Sequence, residues 1–390
     1  MDKMTSRERV WRALNHQEAD RVPIDIGGIS MLTTLHRDAY ANLKKHLGYQ
    51  NDQVTISYTP SQSVLPDEFI RQRFHADCFP LWLNGPSNWE MKFQKDAGGS
   101  TSYVDEWGIK WECPDQGLYF DPVGTPLKDC TMDDIDRYPW PNPRDPARVA
   151  GLKLKAKELY ENTNYSLVMN GALGNGVYVP VQWLIGYEDF FVNMMLKPDI
   201  IKALLEKIVE YQIAQWDVIL DQVGNYVDVV VMSDDLGTQH HPIMNPKKYR
   251  EIIKPAQAKI ANFIKSKADV KIVYHCDGAI SSFLPDMVDI GFDAWNPVQV
   301  SADGMDDTAR LKREFGDKLT FWGAGCDSQF VLPRKSPAEI REEVRRRVND
   351  LASGGGLILS SIHTIQRDVP VENMVAFYDA LYEFGSACYR

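Results

Sequence analysis

The sequence has no run of about 18 apolar residues, so no stretch is long enough to cross a bilayer as a helix. It has no excess of positive charge either. The net charge of −11 excludes functions that need a basic surface, such as binding nucleic acid or an anionic membrane. The opening residues, MDKMTSRERVWRALNHQEADRVP, are charged and lack the apolar core of a secretory signal. Cysteine is sparse, with six in 390 residues (Cys78, Cys113, Cys130, Cys276, Cys326 and Cys388). No CxxC pair or framework spacing joins them, which argues against a zinc ribbon and reads as the reduced thiols of a cytoplasmic protein. Also missing is a G-x-G-x-x-G turn after the first apolar strand, which reads VPIDIGGISM. A doubly wound dinucleotide-binding sheet therefore ranks second among the folds considered.

What is present is an ordinary globular composition, 25% charged and 44% hydrophobic. Short apolar runs rich in β-branched and aromatic residues alternate with stretches of helical spacing. Eight strand candidates stand out, at 22–28, 77–83, 165–170, 227–233, 271–275, 293–297, 319–324 and 356–361. Their continuous apolar cores imply burial on both faces and hence a parallel sheet. Eight such strands with intervening helices predict an α/β fold, a (β/α)8 TIM barrel. Pro80 weakens the second candidate. Thr5 and Ser6, with Glu8 close behind, cap a helix over 5–15.

Between about 86 and 148 the texture changes. Alternation in TSYVDEWGIKWE and the prolines of PWPNPRDP predict a β-rich arm inserted between early barrel strands, within a single domain spanning 1–390. Its tryptophans, Trp89, Trp107, Trp111 and Trp140, read first as a satellite apolar cluster and second as a lid or docking surface.

The chemistry gathers at strand ends. KIVYHCDG runs from apolar residues into His275, Cys276 and Asp277; VDVVVMSDD ends in Asp234 and Asp235; LTFWGAGCD reaches Cys326; GLILSSIH reaches His363. In a barrel these ends face one mouth. Each group also has a structural reading. A histidine bonded to backbone, a buried cysteine or a capping aspartate would explain any one of them alone.

At these residues the chain resembles the uroporphyrinogen decarboxylase superfamily, and within it the corrinoid-dependent methyltransferase branch. The resemblance rests on SRERVWRALNHQEADRVPIDIGG, DEWGIKW, RYPWPNPRDPAR, SDDLGTQHHPIMNPKKYREIIKP, GFDAWNPVQVSADGMD, FWGAGCDSQFVLP and ASGGGLILSSIHTIQRDVPVENMVAFYDA, in that order. It implies the same barrel fold. The decarboxylase holds a many-carboxylate tetrapyrrole with an arginine-rich loop after its first strand; here that place has no arginine beyond Arg21. The zinc methyltransferases use His-x-Cys after one strand and Cys after the last. Those positions fall on His275, Asp277 and His363, with Cys276 and Cys326 as rival ligands. The resemblance thus implies zinc held by His275, Asp277, Cys326 or His363, with Asp234, Asp235 and His275 catalytic. Asn170, Tyr178, Gln239 and Trp322 would bind substrate. A carboxylate and an imidazole in place of thiolates leave zinc the stronger Lewis acid, suited to an oxygen leaving group. The expected reaction moves a methyl group from a small, O-methylated substrate to a corrinoid carried by a partner protein, since no Asp-x-His-x-x-Gly cobalamin motif is present. A homodimer is also expected. A lyase acting on a small carboxylic acid and a non-catalytic tetrapyrrole or corrinoid binder remain as alternatives.

Overall fold

A computed structural model describes residues 4–171 and 176–389. Its strands, in chain order, are β1 (Thr55–Tyr58), β2 (Ser63–Leu65), β3 (Cys78–Leu81), β4 (Gln94–Lys95), β5 (Thr101–Val104), β6 (Lys110–Cys113), β7 (Asp121–Pro122), β8 (Ser166–Met169), β9 (Val229–Ser233), β10 (Lys271–His275), β11 (Ala294–Asn296), β12 (Thr320–Ala324) and β13 (Leu357–Ser360). Seven of them form one curled parallel sheet in the order β13-β12-β11-β10-β9-β8-β3. Neighbours in this sheet are joined by helices on its outside, as a βα repeat requires.

The seam between β3 and β13 is closed differently from the expectation of a full strand over 22–28. Only a single parallel bridge forms there, Ile24 to Leu359. Asp25 N donates to Leu359 O, Leu359 N to Pro23 O, and Asp77 N to Ile24 O. Side chains take over the remaining backbone donors. The Asp77 carboxylate accepts from Ile24 N at 2.8 Å, and Asp25 accepts from Gly28 N at 2.6 Å. Asp77 is fully buried and is balanced by Arg9 at 2.6 Å and Arg21 at 2.7 Å. Arg21, the one arginine near the first strand, is thereby committed to the seam. Pro80 is tolerated in β3 for a related reason. The Leu81 carbonyl accepts from Asn170 N, so alternation turns the Pro80 nitrogen toward the irregular seam, where no ladder bond is lost.

Alternation also divides the core. Val168, Val229, Val231, Val273, Ala294, Trp322 and Ile358 point into the barrel, where they meet Val10, Ala13 and Leu14 of the helix Ser6–Leu14 and Ile29, Met31 and Leu32 of the segment after the seam. The intervening residues, among them Val230, Ile272, Tyr274, Trp295, Phe321 and Leu359, point outward into the layer between sheet and helices. That opening helix carries the anticipated capping box, Thr5 with Glu8. Helix Pro337–Leu351 starts with another, Ser336 with Glu339. The helical stretch near 246–266 is interrupted by a π-helical turn at Tyr249–Ile253.

Within the inserted region, β4-β5-β6-β7 form an antiparallel sheet. Trp107 packs edge-on against Tyr211 of helix Pro198–Val223 at 4.6 Å, and Trp111 against Trp183 of helix Val179–Ile185 at 5.0 Å. The arm is therefore folded back over the barrel. No helix among the described residues is long and apolar enough to cross a membrane.

Candidate metal and substrate site

His275 shares the inward parity of Val273, so the last residue of β10 points into the mouth of the barrel. Cys276 has the opposite parity and is buried in the outer layer, where its Sγ accepts from Leu236 N at 3.2 Å. Asp277 returns to the inward side. The chain can turn there because Gly278 adopts φ +91° and a Cβ on it would lie 2.4 Å from the Gly237 backbone. His363 follows β13 on a loop pinned to the segment after the seam, with Ile365 N donating to Thr34 O and Thr364 Oγ1 to Met31 O.

These placements bring three donors together. A ring nitrogen of His275, a carboxylate oxygen of Asp277 and a ring nitrogen of His363 all lie within 4.8 Å of one another. Asn296, at the inward end of β11, fixes the tautomer of His275. Its Nδ2 donates to Trp322 O at 2.8 Å, so its Oδ1 accepts from His275 Nδ1 at 2.6 Å. That leaves His275 Nε2 facing Asp277 at 3.5 Å and Asp235 at 3.8 Å. His363 makes no hydrogen bond to another described residue. A histidine with one nitrogen anchored and the other exposed to a carboxylate and a second imidazole is the arrangement of a metal ligand and its supporting shell. The donor set therefore fits a divalent ion of the zinc class.

The electrostatics agree with a site short of positive charge. Burial opposes charging of His275, but Asp277, Asp235 and Asn296 outweigh it and raise its pKa to about 9. Burial likewise opposes charge on Asp277, which His275 nevertheless holds below the usual carboxylate range. Burial pushes His363 down. The Asp235 side chain is 53% exposed to the cavity. It lies deep enough in the mouth that burial, and then the charge on Asp277, push its pKa up.

Above the donors lies a chamber of about 340 Å³. Met31 and Leu32 form part of its floor, Asp234, Asp235, His275 and His363 its polar side, and the arm its roof, through Trp111, Tyr119, Phe120, Asp121 and Pro122. Tyr58 and Trp183 complete the aromatic walls. Among the described residues, neither arginine nor lysine lines it. A larger cavity of about 560 Å³ beneath the outer edge of the arm carries Arg37, Lys95 and Arg367, but none of the strand-end groups.

Several residues read as site candidates from the sequence are placed elsewhere. Cys326 is buried in the outer layer with its Sγ on Asp327 O at 3.7 Å, and it does not join the three donors. Asn170 accepts from Ser30 N and donates to Gly28 O, which ties the segment after the seam to β8. Trp322 plugs the barrel below the chamber and donates to Asp25 at 2.9 Å. Tyr178 is fully buried and donates to Asp235 O. Gln239 lies on the rim, bonded to Ser301, Gln299 and Gln329. Asp234 touches the chamber, but its carboxylate already receives Val177 N, Tyr178 N, Val179 N and Gln257 Nε2 at 2.8–3.0 Å. Burial raises its pKa to about 7 despite these donors. It holds the loop before helix Val179–Ile185 in place. Conversely, the sequence reading passed over Asn296, and it ranked the lid reading of the arm's tryptophans second.

Residues 121–384 match the uroporphyrinogen decarboxylase (URO-D) family, well over half of the sequence. The chain belongs to the uroporphyrinogen decarboxylase family. A uroporphyrinogen decarboxylase from Actinobacillus succinogenes is 35% identical over 91 residues, 23% of this chain and 25% of that protein. The methylcobamide:CoM methyltransferase MtaA of Methanosarcina barkeri is 24% identical over 204 residues, 52% of this chain and 54% of the relative. The chain thus spans a quarter of the first relative and about half of the second. A solved structure titled as a methyltransferase from Methanosarcina mazei covers 98% of this chain and 99% of its own, with TM-score 0.67 at 18% identity, which shows a shared fold.

Proposed function

We propose that this chain is a methyltransferase that moves a methyl group from a small O-methylated substrate to a corrinoid held by a partner protein. The observation that carries the reading is the pairing of His275 and His363 with Asp277 beneath a small, aromatic-walled chamber lined by no arginine or lysine among the described residues. About 340 Å³ is at the small end of ligand pockets, which suits a small substrate. Similarity to both a decarboxylase and a methylcobamide:CoM methyltransferase agrees with either branch of the family; the chamber favours the second.

In this reading His275, Asp277 and His363 would hold zinc, which supplies Lewis-acid polarisation of the substrate oxygen. Asn296 keeps the Nε2 lone pair of His275 directed at the chamber. Asp235 faces the same space with a raised pKa and holds the proton that the departing oxygen takes as the carbon–oxygen bond breaks. The electron pair of that bond leaves with the oxygen, and the methyl group passes to the acceptor. Asp234 positions Asp235 by fixing the loop beside it, and the arm excludes water. The barrel and its arm act as one domain in a cytoplasmic, soluble enzyme.

The test is incubation of the zinc-loaded protein with a Co(I) corrinoid and an O-methyl compound such as methanol or 2-methoxyphenol. Loss of Co(I) absorbance matched by demethylated product is expected. Unchanged Co(I) with every methyl donor, together with release of carbon dioxide from a carboxylic acid, would replace this reading with the lyase.

A further inference from the structure

A second cavity, of about 450 Å³, reaches His363 from the rim. Its walls are the loop between β12 and helix Pro337–Leu351, through Phe330 and Leu332, and the loop after β13, through Ile365, Gln366 and Val369. Phe330 at its edge is exposed, so the cavity opens to solvent there. Among the described residues, Tyr119 and His363 alone border both this cavity and the chamber. His363 is therefore approached from two sides, and Tyr119 stands where the two spaces meet.

Tyr119 lies between β6 and β7, on a stretch whose backbone is anchored independently of its side chain. Gln62 Nε2 donates to Leu118 O at 2.9 Å, Arg367 to Gln116 O at 2.7 Å, and Phe120 N to Pro60 O at 2.8 Å. Among the described residues the Tyr119 side chain has one hydrogen bond, which its hydroxyl accepts from Gln366 Nε2 at 2.7 Å. The same nitrogen donates its second proton to Thr364 O at 2.8 Å, which sets the orientation of the amide. Gln366 Oε1 is then left buried with no partner. An unsatisfied buried acceptor costs free energy that exposure to water recovers, so this link is weaker than a fully paired one. A ring on fixed backbone, held by one such bond, can change rotamer while the arm stays in place.

We infer that Tyr119 is a gate that sets what reaches His363. Latched to Gln366, it separates the chamber from the outer cavity. Unlatched, it joins them, and a molecule at His363 can enter from the rim or extend an apolar group toward Phe330, Leu332 and Val369. Such a gate governs access alone; it goes beyond the reaction assigned to the chamber and needs neither zinc nor a methyl donor.

The experiment is carbethoxylation of the chelator-treated full chain by diethyl pyrocarbonate, with His363 and His240 quantified by peptide mass spectrometry. Tyr119→Phe and Gln366→Leu each cut the latch from one side. Each should speed modification of His363 by about threefold to tenfold, the effect of one hydrogen bond on the open population. The double variant should be no faster than the faster single one, because both remove the same bond. Ser328→Trp, which fills the outer cavity, should cancel the gain when added to Tyr119→Phe. His240, exposed and lining neither cavity, should keep its rate throughout. Unchanged His363 in both single variants, additive gains in the double variant, or a gain that survives Ser328→Trp would overturn the gate. Failure of the zinc-loaded wild type to demethylate any donor would remove the methyltransferase and leave the gate standing.

Discussion

The rings of His275 and His363 stand 6.1 Å apart, centroid to centroid, although β10 and β13 are separated in the sheet by β11 and β12. Only the curl of the barrel brings them together. With Asp277 between them, they form the one group of three potential metal donors found among the described residues.

The support behind His275 yields the first prediction. Replacing Asn296 with Ala removes the acceptor that fixes the ring, and zinc affinity should fall roughly 10–100-fold, as is usual for such second-layer partners. Asn296→Asp restores an acceptor and should recover most of the loss. Competition for zinc against a chromophoric chelator measures both, with circular dichroism confirming the fold.

Cysteine gives the opposite expectation. The thiols of Cys276 and Cys326 both sit in the outer layer. Cys276→Ala and Cys326→Ala should therefore keep the zinc content of the wild type, while His275→Ala and His363→Ala should each reduce it to about a tenth or less. Metal analysis of the four purified variants decides this.

How much of this was legible follows from where side-chain alternation governs. The seven strands of the sheet fall within the stretches read from apolar runs, because burial on both faces leaves a plain signature. The same alternation, applied to KIVYHCDG, turns Cys276 away from His275; it was available in the sequence, and so was the inward position of Asn296 at the end of β11. The strand over 22–28 shrank to one bridge because Asp25 and Asp77 satisfy backbone donors that a ladder would have used, and side-chain capture of that kind has no periodic signal. Trp111 and Tyr119 lie on an arm whose return over the barrel depends on distant contacts, so the sequence offered a lid only as its second reading and could not name Tyr119. Asn170 and Trp322 were read as substrate-binding residues, but their hydrogen bonds commit them to the barrel's interior.

Asp25 carries a prediction about pH. Burial raises its pKa from 3.8 to about 6, against the pull of Thr33, Gly28 and Trp322. An acid whose folded pKa is raised favours the protonated folded form. Its contribution to stability is complete below the unfolded value and is lost as pH rises through 6. Relative to Asp25→Asn, the wild type should lose about 2.4 kcal/mol of unfolding free energy between pH 4 and pH 7. Urea denaturation of both proteins across that range measures the difference; a constant gap would show that Asp25 titrates normally.

The seam supplies a stability prediction. Asp77 is buried beside Arg9 and Arg21 and also accepts from Ile24 N. Asp77→Ala would take the shared carboxylate from Arg9 and Arg21, leaving Arg9 only Asp20 and Met4 O, and would leave the Ile24 N–H without its acceptor. It should destabilise the barrel by about 3–5 kcal/mol, read from the denaturation midpoint.

Zinc-edge X-ray absorption of the purified protein tests the central claim most directly, because it reports the atoms bound to the metal. The account predicts nitrogen and oxygen neighbours alone at about 2.0–2.2 Å, with the multiple-scattering pattern of two imidazoles. A sulfur shell at about 2.3 Å would place Cys276 or Cys326 on the metal and contradict it.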